Sequence, residues 1–398
     1  MTELKFENFL IERKTKVGNR KIPPYSITNL GLYARDEKYT SELSDDYSKN
    51  KVIEKGNLAF GNSRNILNYG VMSDSIGCVS NVYKVFEVDN NIVRSNYIDL
   101  YFYYNRHNLK HLIKPGSRDN LPIDVDLMLN ERLKIPSLSI QDYVINLSET
   151  IKLVINQRNE INSNLEELAQ TLYKRWFLDF EFPNEEGKPY KSSGGEMVES
   201  ELGLIPKGWE VKSLREIMDF QGGFAFKGNR DNLDLKYKII TIKNVQDGYM
   251  NLSVVSSIDH KPNKLKESQV LQIGDILVSL TGNVGRTCIV NQENCLLNQR
   301  VEKVSPFDTE LQGFTYFLFR SSQINSVMQS LSKGSAQQNL SPVELSNQKI
   351  AIPNELAAKF DVFNSLFQSV LNNQIQNMSL TKTRDLLLPK LMSGEIEV

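Results

Sequence analysis

The sequence predicts an α+β fold in which two similar mixed α/β domains are separated by two long antiparallel coiled-coil helices and related by a pseudo-twofold. Three observations predict it: an internal repeat, a switch to helical periodicity after each repeat, and a Pro/Gly-rich break between the halves. The repeat runs colinearly at a spacing of some 215 positions. Gly18, Asn19 and Arg20 stand against Gly228, Asn229 and Arg230; Ile27, Thr28 and Asn29 against Ile242, Lys243 and Asn244; Gly56, Asn57 and Leu58 against Gly274, Asp275 and Ile276. The series continues with Gly116 and Ser117 against Gly334 and Ser335, then Lys134, Ile135 and Pro136 against Ala351, Ile352 and Pro353. A helical stretch closes each half, carrying Leu165, Leu168, Leu172 and Arg175 in one copy and Leu380, Thr383, Leu387 and Lys390 in the other.

Taken in order, residues 1–138 read as short strands and loops, with β-branched and aromatic runs over 79–88 and 98–104 as strand candidates. From Val144 the apolar positions Leu147, Ile151, Val154, Ile161, Leu165, Leu168 and Leu172 follow heptad spacing, with Arg158 interrupting the seam. The central conserved segment, 139–182, is expected to be helical, and its span from about 139 to 178 would make a rod of roughly 60 Å at 1.5 Å per residue. Pro183, Gly187, Pro189, Gly194 and Gly195 cannot continue it, so 183–207 is read as a linker. The second domain covers 208–353, with strand candidates at 237–242, 275–280 and 287–290. Phe360, Phe363, Phe367, Val370, Leu371, Ile375 and Met378 give the last segment, 354–398, an amphipathic stripe. Two such helices bury their stripes most simply by pairing antiparallel.

Composition narrows the function. With 398 residues the chain is too long for one ordinary core. Hydrophobic residues at 40% and charged residues at 24% are those of a globular protein. No apolar run approaches the roughly 20 residues of a bilayer span, and Glu3, Lys5 and Glu7 stand where a secretory signal would be apolar, so a cytoplasmic protein without membrane partners is expected. Cys78, Cys288 and Cys295 lack Cys-x-x-Cys spacing and read as buried thiols. A net charge of −1 excludes a uniformly basic coat, but clustered Lys and Arg still suffice for phosphate contacts.

Catalytic patterns fail on their chemistry. Ile22, Pro23, Pro24 and Tyr25 imitate the loop with which amino-methyltransferases hold a target amine, but Ile22 has no side-chain acceptor. The stretch from Gly282 to Thr287 resembles a phosphate loop without its Gly-Lys-Ser/Thr, and reads better as a tight turn between strands. His107 and His111 are spaced to share a helix face, with no third metal ligand in view. What remains is recognition chemistry, because Arg pairs with guanine and Asn or Gln with adenine through matched donors and acceptors. The candidates are Asn29, Arg35, Arg118 and Asn120 in the first half. In the second half they are Lys227, Asn229, Arg230, Lys243, Asn244, Lys333, Ser335, Gln337, Gln338 and Asn339. Lys and Arg among them more often position phosphates than read bases.

Residues 168–183 (LAQTLYKRWFLDFEFP), the stretch GKPYKSSGGEMVESELGLIPKGWEVKSL from Gly187 and the terminal TRDLLLPKLMSGEIEV from Thr383 resemble the conserved regions of type I restriction-modification specificity subunits. The resemblance covers the whole chain. It implies two target-recognition domains that read the halves of a bipartite double-stranded DNA site, with the coiled coil as a ruler. It also implies a subunit that catalyses nothing and holds no cofactor, recruiting two modification subunits that use AdoMet and two restriction subunits that use ATP and Mg. Tyr173, Trp176 and Phe177 are candidates for partner docking, or else plain core at a helix end. One departure stands out: Ile205 to Glu210, which opens the second domain, has no evident match near Met1. The competing readings are a protein-only scaffold with degenerate loops and a fused nuclease or methyltransferase.

Overall fold

The computed structural model describes residues 1–29, 31–35, 46–116, 121–226, 235–332, 339–354 and 357–397. The chain forms two compact units, residues 1–154 with 380–398, and residues 155–379. The central helix, Leu138–Tyr173, and the C-terminal helix, Ala357–Ser393, each contribute a stretch to both units.

Each unit is built on a four-stranded antiparallel sheet of the same order. In unit 1 the order is Leu10–Arg13, Lys84–Val88, Leu58–Phe60, Tyr69–Val71. In unit 2 it is Met218–Gly222, Val301–Pro306, Ile276–Ser279, Thr287–Ile289. The registers agree as well. Leu58 faces Phe86 and Val71, as Ile276 faces Val304 and Ile289.

The repeated Gly-Asn and Gly-Asp pairs explain themselves here. Gly56 and Gly274 have φ of 82° and 95°, a region in which a side chain is strained. Their N–H groups donate to Met72 O and Val290 O, both at 2.8 Å. The next residue closes the turn with its side chain: Asn57 Oδ1 accepts from Glu54 N at 3.0 Å, and Asp275 Oδ2 from Gln272 N at 2.8 Å.

The apparent departure at the first domain's start resolves in the same way. Thr2 pairs with Ile135 as Glu210 pairs with Ile352. Phe6 N then donates to Glu131 O as Leu214 N donates to Gln348 O. The two frames therefore open alike; a shorter connection in the first half shifts the numbering, which hid the match. The segment 183–207 is more than a linker, since it carries the hairpin Met197–Ser200 with Gly203–Pro206 and buries Phe182 and Ile205.

Two other expectations change. The run 98–104 is helical, part of Ser95–Asn105, because Ile98 and Phe102 one turn apart both enter the core and tertiary burial overrides strand propensity. In the central helix, Ile161 and Leu168 are each 48% exposed, while their neighbours Asn162 and Ala169 are buried. The seam of unit 2 thus runs one position later than the apolar pattern suggests. Asn162 can take a seam position because its Oδ1 accepts from Asn373 Nδ2 at 2.8 Å, and Asn377 Nδ2 likewise donates to Asn159 at 2.9 Å. These pairs run in opposite senses along the two helices, so within unit 2 the helices are antiparallel.

Aromatic cores hold both units. Phe6, Phe60, Phe86, Tyr97 and Phe102 fill the first, Phe314, Phe317, Phe360 and Phe363 the second. Each fully buried Phe contributes roughly 2–3 kcal/mol.

Candidate nucleic-acid interface

In each unit three polar segments meet at one end of the four-stranded sheet. In unit 1 the first is the turn of the hairpin Tyr25–Thr28 with Gly31–Ala34, and the second is 61–68, between strands Leu58–Phe60 and Tyr69–Val71. A Cβ on Gly61 would lie 3.0 Å from Ile27, so these two are in close contact. The third segment, which includes Lys114 and Gly116, returns at Leu121, where Ser63 N donates to Leu121 O at 2.7 Å and Leu121 N to Ser63 O at 2.9 Å.

Unit 2 repeats the arrangement with other residues. Ile242, just past the strand Tyr237–Ile240, lies against Gly282 of the turn that joins Ile276–Ser279 to Thr287–Ile289. Gly282 and Gly285, at φ of 75° and 91°, make that turn tight, as read from the sequence. Thr281 Oγ1 donates to Asn339 Oδ1 at 2.8 Å and Leu340 N to Leu280 O at 2.8 Å, which ties the third segment in. Arg286 Nη1 donates to Gln246 Oε1 at 2.7 Å, joining the turn to the segment after Ile242.

The sequence-predicted residues fall unevenly on this site. Asn29 is exposed, and its carbonyl accepts from Arg106 Nη1 at 3.1 Å. Arg35 is half-buried, with Nε donating to Ser26 Oγ at 2.9 Å. Lys243 and Asn339 are exposed. Arg118, Asn120, Lys227, Asn229, Arg230, Lys333, Ser335, Gln337 and Gln338 lie outside the described residues.

Three assignments are corrected. Asn244 is 2% exposed and fully engaged: Oδ1 accepts from Thr241 N and Oγ1, and Nδ2 donates to Asn251 O and Val254 O. An amide with all its capacity spent inside the fold holds the loop and reads nothing. Tyr173 and Phe177, 3% and 5% exposed, belong to the aromatic core around Phe314 rather than to a docking face. Trp176 is half-buried, edge-on to Phe363.

Sequence reasoning also missed residues. Arg64 and Asn65 are exposed in segment 61–68, as is Asn283 in the unit 2 turn, beside Arg286 and Gln246. The signal for Asn283 and Arg286 is present in the Gly282–Thr287 stretch, which lacks phosphate-loop chemistry but, as a tight turn, presents its Arg. Of the histidine pair, His111 turns to protein partners, Nδ1 lying 3.1 Å from Asn108 O and Nε2 3.5 Å from Glu131 Oε2.

One group gives the unit 2 site an unusual charge balance. Glu302 faces Val278 across the sheet, one residue inside the end from which the turn emerges. It is 8% exposed, and burial, with the Asp219 charge, pushes its carboxyl up to about 7. A carboxyl half-protonated at that pH repels phosphate less than an ordinary glutamate, which is fully ionised there. Its register counterpart in unit 1, facing Phe60, is Lys84.

Two like frames that present unlike polar loops define a recognition protein. Residues 206–378 match the family model of the type I restriction modification DNA specificity domain. The chain is 23% identical over 406 residues to the type I restriction enzyme HindI specificity subunit of Haemophilus influenzae, covering 87% of this chain and 88% of that one. It is 30% identical over 257 residues to the MjaIX specificity subunit of Methanocaldococcus jannaschii, covering 62% of this chain and 56% of that one. A looser likeness, with 14% identity and a TM-score of 0.49, covers 98% of this chain and 95% of the type I restriction-modification S subunit of M. genitalium. The chain is thus similar to type I restriction-modification specificity subunits, in its second half by the family model and over most of its length by the HindI relative.

Proposed function

We propose that this chain is the non-catalytic DNA-reading subunit of a type I restriction-modification complex. It recognises a bipartite duplex sequence and brings the methyltransferase and restriction subunits to it. The observation that carries the reading is the convergence of three polar segments at the same end of the same sheet in both units, with different side chains on each. Each unit addresses one half-site, and since the loops differ, the two halves need not be palindromic. Major-groove readout requires paired donors and acceptors on such loops, while Lys243 and neighbouring cations suit phosphate contacts. The finer parts of the proposal are two modification and two restriction subunits per specificity subunit, and a helix pair that sets the half-site spacing, roughly one turn of B-DNA or about 34 Å.

The test is retention of duplexes by the chain with its modification subunit, together with sequencing of methylated adenines in cells with and without the chain. One bipartite motif is expected in both. Arg118→Ala and Gln337→Ala should each alter preference in one half-site only; equal loss on every sequence would make them phosphate contacts. Adding one turn to each helix should change the tolerated spacer. Retention of no duplex would favour a protein-only scaffold, and retention of all duplexes alike would overturn the sequence-reading role.

A further inference from the structure

In unit 2 the segment 246–248 is gripped from both long helices. Arg320, at the end of the helix Gln312–Arg320 and only 14% exposed, donates through Nε and Nη2 to Glu166 Oε2 of the central helix and through Nη1 to Asp247 Oδ1. Tyr316, fully buried, donates to the other oxygen of Glu166 at 2.8 Å. From the C-terminal helix, Gln374 Nε2 donates to Gly248 O at 2.9 Å and its Oε1 accepts from Asn291 at 3.4 Å. Gly248, at φ of 86°, sits so close that a Cβ would lie 3.1 Å from both Arg320 Nη2 and Glu166 Oε1. Its N–H donates to Thr287 O at 2.9 Å, directly after the turn. The residue before Asp247, Gln246, holds Arg286 of that turn.

We infer that Glu166, Arg320, Asp247 and Gln374 are positioning residues for DNA reading: they brace Gln246 and Arg286 against both long helices and so fix the unit 2 loops for one half-site. The inference rests on the proposed function. A buried Arg–Glu pair is weak evidence for stability, because its attraction is spent on desolvation, and it is better understood as fixing geometry. Unit 1 differs at the corresponding position. Counted from the equivalent strand ends at Asp89 and Phe307, the place of Arg320 is taken in unit 1 by Phe102, fully buried in an aromatic cluster. The unit 1 hairpin turn is instead held by the Arg106 contact to Asn29.

The experiment selects from a pool of duplexes randomised in both half-sites, using the full chain with its modification subunit, for wild type, Asn339→Ala, Asp247→Ala, Gln374→Ala and Asp247→Glu. Asp247 is 69% exposed at its side chain, so its removal leaves the Arg320–Glu166 pair intact and the core undisturbed. Asp247→Ala and Gln374→Ala should each lower base preference about tenfold in the half-site that Asn339→Ala weakens. The other half-site should keep its full preference, and Asp247→Glu should restore the first. Unchanged preference in both half-sites, or equal loss in both, overturns the brace while leaving the proposed function standing. If wild type selects no bipartite sequence, the proposed function falls and the brace with it.

Discussion

At one register position the two units carry opposite chemistry. Lys84 faces Phe60 in unit 1, with its ammonium 3.6 Å from Glu12, while Glu302 faces Val278 in unit 2 with one carboxylate oxygen buried and unpartnered. Around these positions the frame is the same: sheet order, register, the glycine turn with its side-chain closure, and the opening strand pair. The difference shows which parts of a duplicated fold are constrained. Backbone ladders and positive-φ turns tolerate few sequences, whereas residues at the sheet ends and on the loops are free to diverge.

The largest expected effect breaks the comparison at Gly313. Its Cβ would meet Phe363 O of the C-terminal helix at 2.3 Å, and its N–H donates to Asn364 Oδ1 at 2.7 Å. Equally far past the equivalent strand end, unit 1 carries Ser95, whose Oγ approaches Asn90 Oδ1 at 3.2 Å. Gly313→Ala should cost roughly 3 kcal/mol, because helix backbone cannot yield as a side chain can. Ser95→Ala should cost about 1 kcal/mol. Native-state hydrogen exchange resolves the two units, and equal losses of protection would contradict the packing described.

Next in size is the pH dependence of unit 2. Glu302 titrates near 7 in the fold against 4.5 as its ordinary value, so the folded state holds the proton more tightly than the unfolded one. Its contribution is therefore fully present below about 4.5 and is lost as pH rises to about 7. A shift of that size corresponds to roughly 3 kcal/mol. Glu302→Gln should raise stability in urea melts at pH 8 and leave it nearly unchanged at pH 4; the same gain at both would mean that the carboxyl is ionised throughout.

Much of this frame was legible in the sequence, and the reason is local. Gly56 and Gly274 are visible because a turn at positive φ demands glycine, and the Ile-Pro pairs at 135–136 and 352–353 because they close the strand that pairs with each unit's opening. The long helices announced themselves by period. What stayed hidden depends on partners distant in sequence. Asn29 and Asn244 look equivalent, yet one is exposed and the other 2% exposed, since in the second half the chain folds back at 249–254 to bond the amide. Tyr173 and Phe177 could not be told from docking residues until Phe314 and Phe360 were seen beside them. Asn162 was passed over as a seam position because its partner, Asn373, lies on the other helix. In the candidate site, Arg286 was missed because its role appears only when the turn is placed beside Gln246 and Asn339.

The smallest effects test whether the two turns are truly the same device. Gly56→Ala and Gly274→Ala should each cost about 1–2 kcal/mol, the penalty of a side chain at left-handed φ. Gly56 should lose slightly more, since its Cβ would also press on Ser95 Oγ at 3.1 Å. The residues that follow share one bond, because Asn and Asp both offer an oxygen to the N–H three residues back. Asn57→Asp keeps that bond but brings a carboxylate to a position only 8% exposed, and should cost about 1–2 kcal/mol. Asp275→Asn also keeps it, but removes the charge that lies 3.4 Å from Lys303, where both side chains are less than a fifth exposed. That swap should cost about 1 kcal/mol, an effect that 0.5 M salt should barely reduce, because a sheltered pair is poorly screened. If Asp275→Asn costs nothing, Lys303 adds nothing to the turn; if Asn57→Ala costs nothing, the hydrogen bond is not what the repeated Asn and Asp have in common.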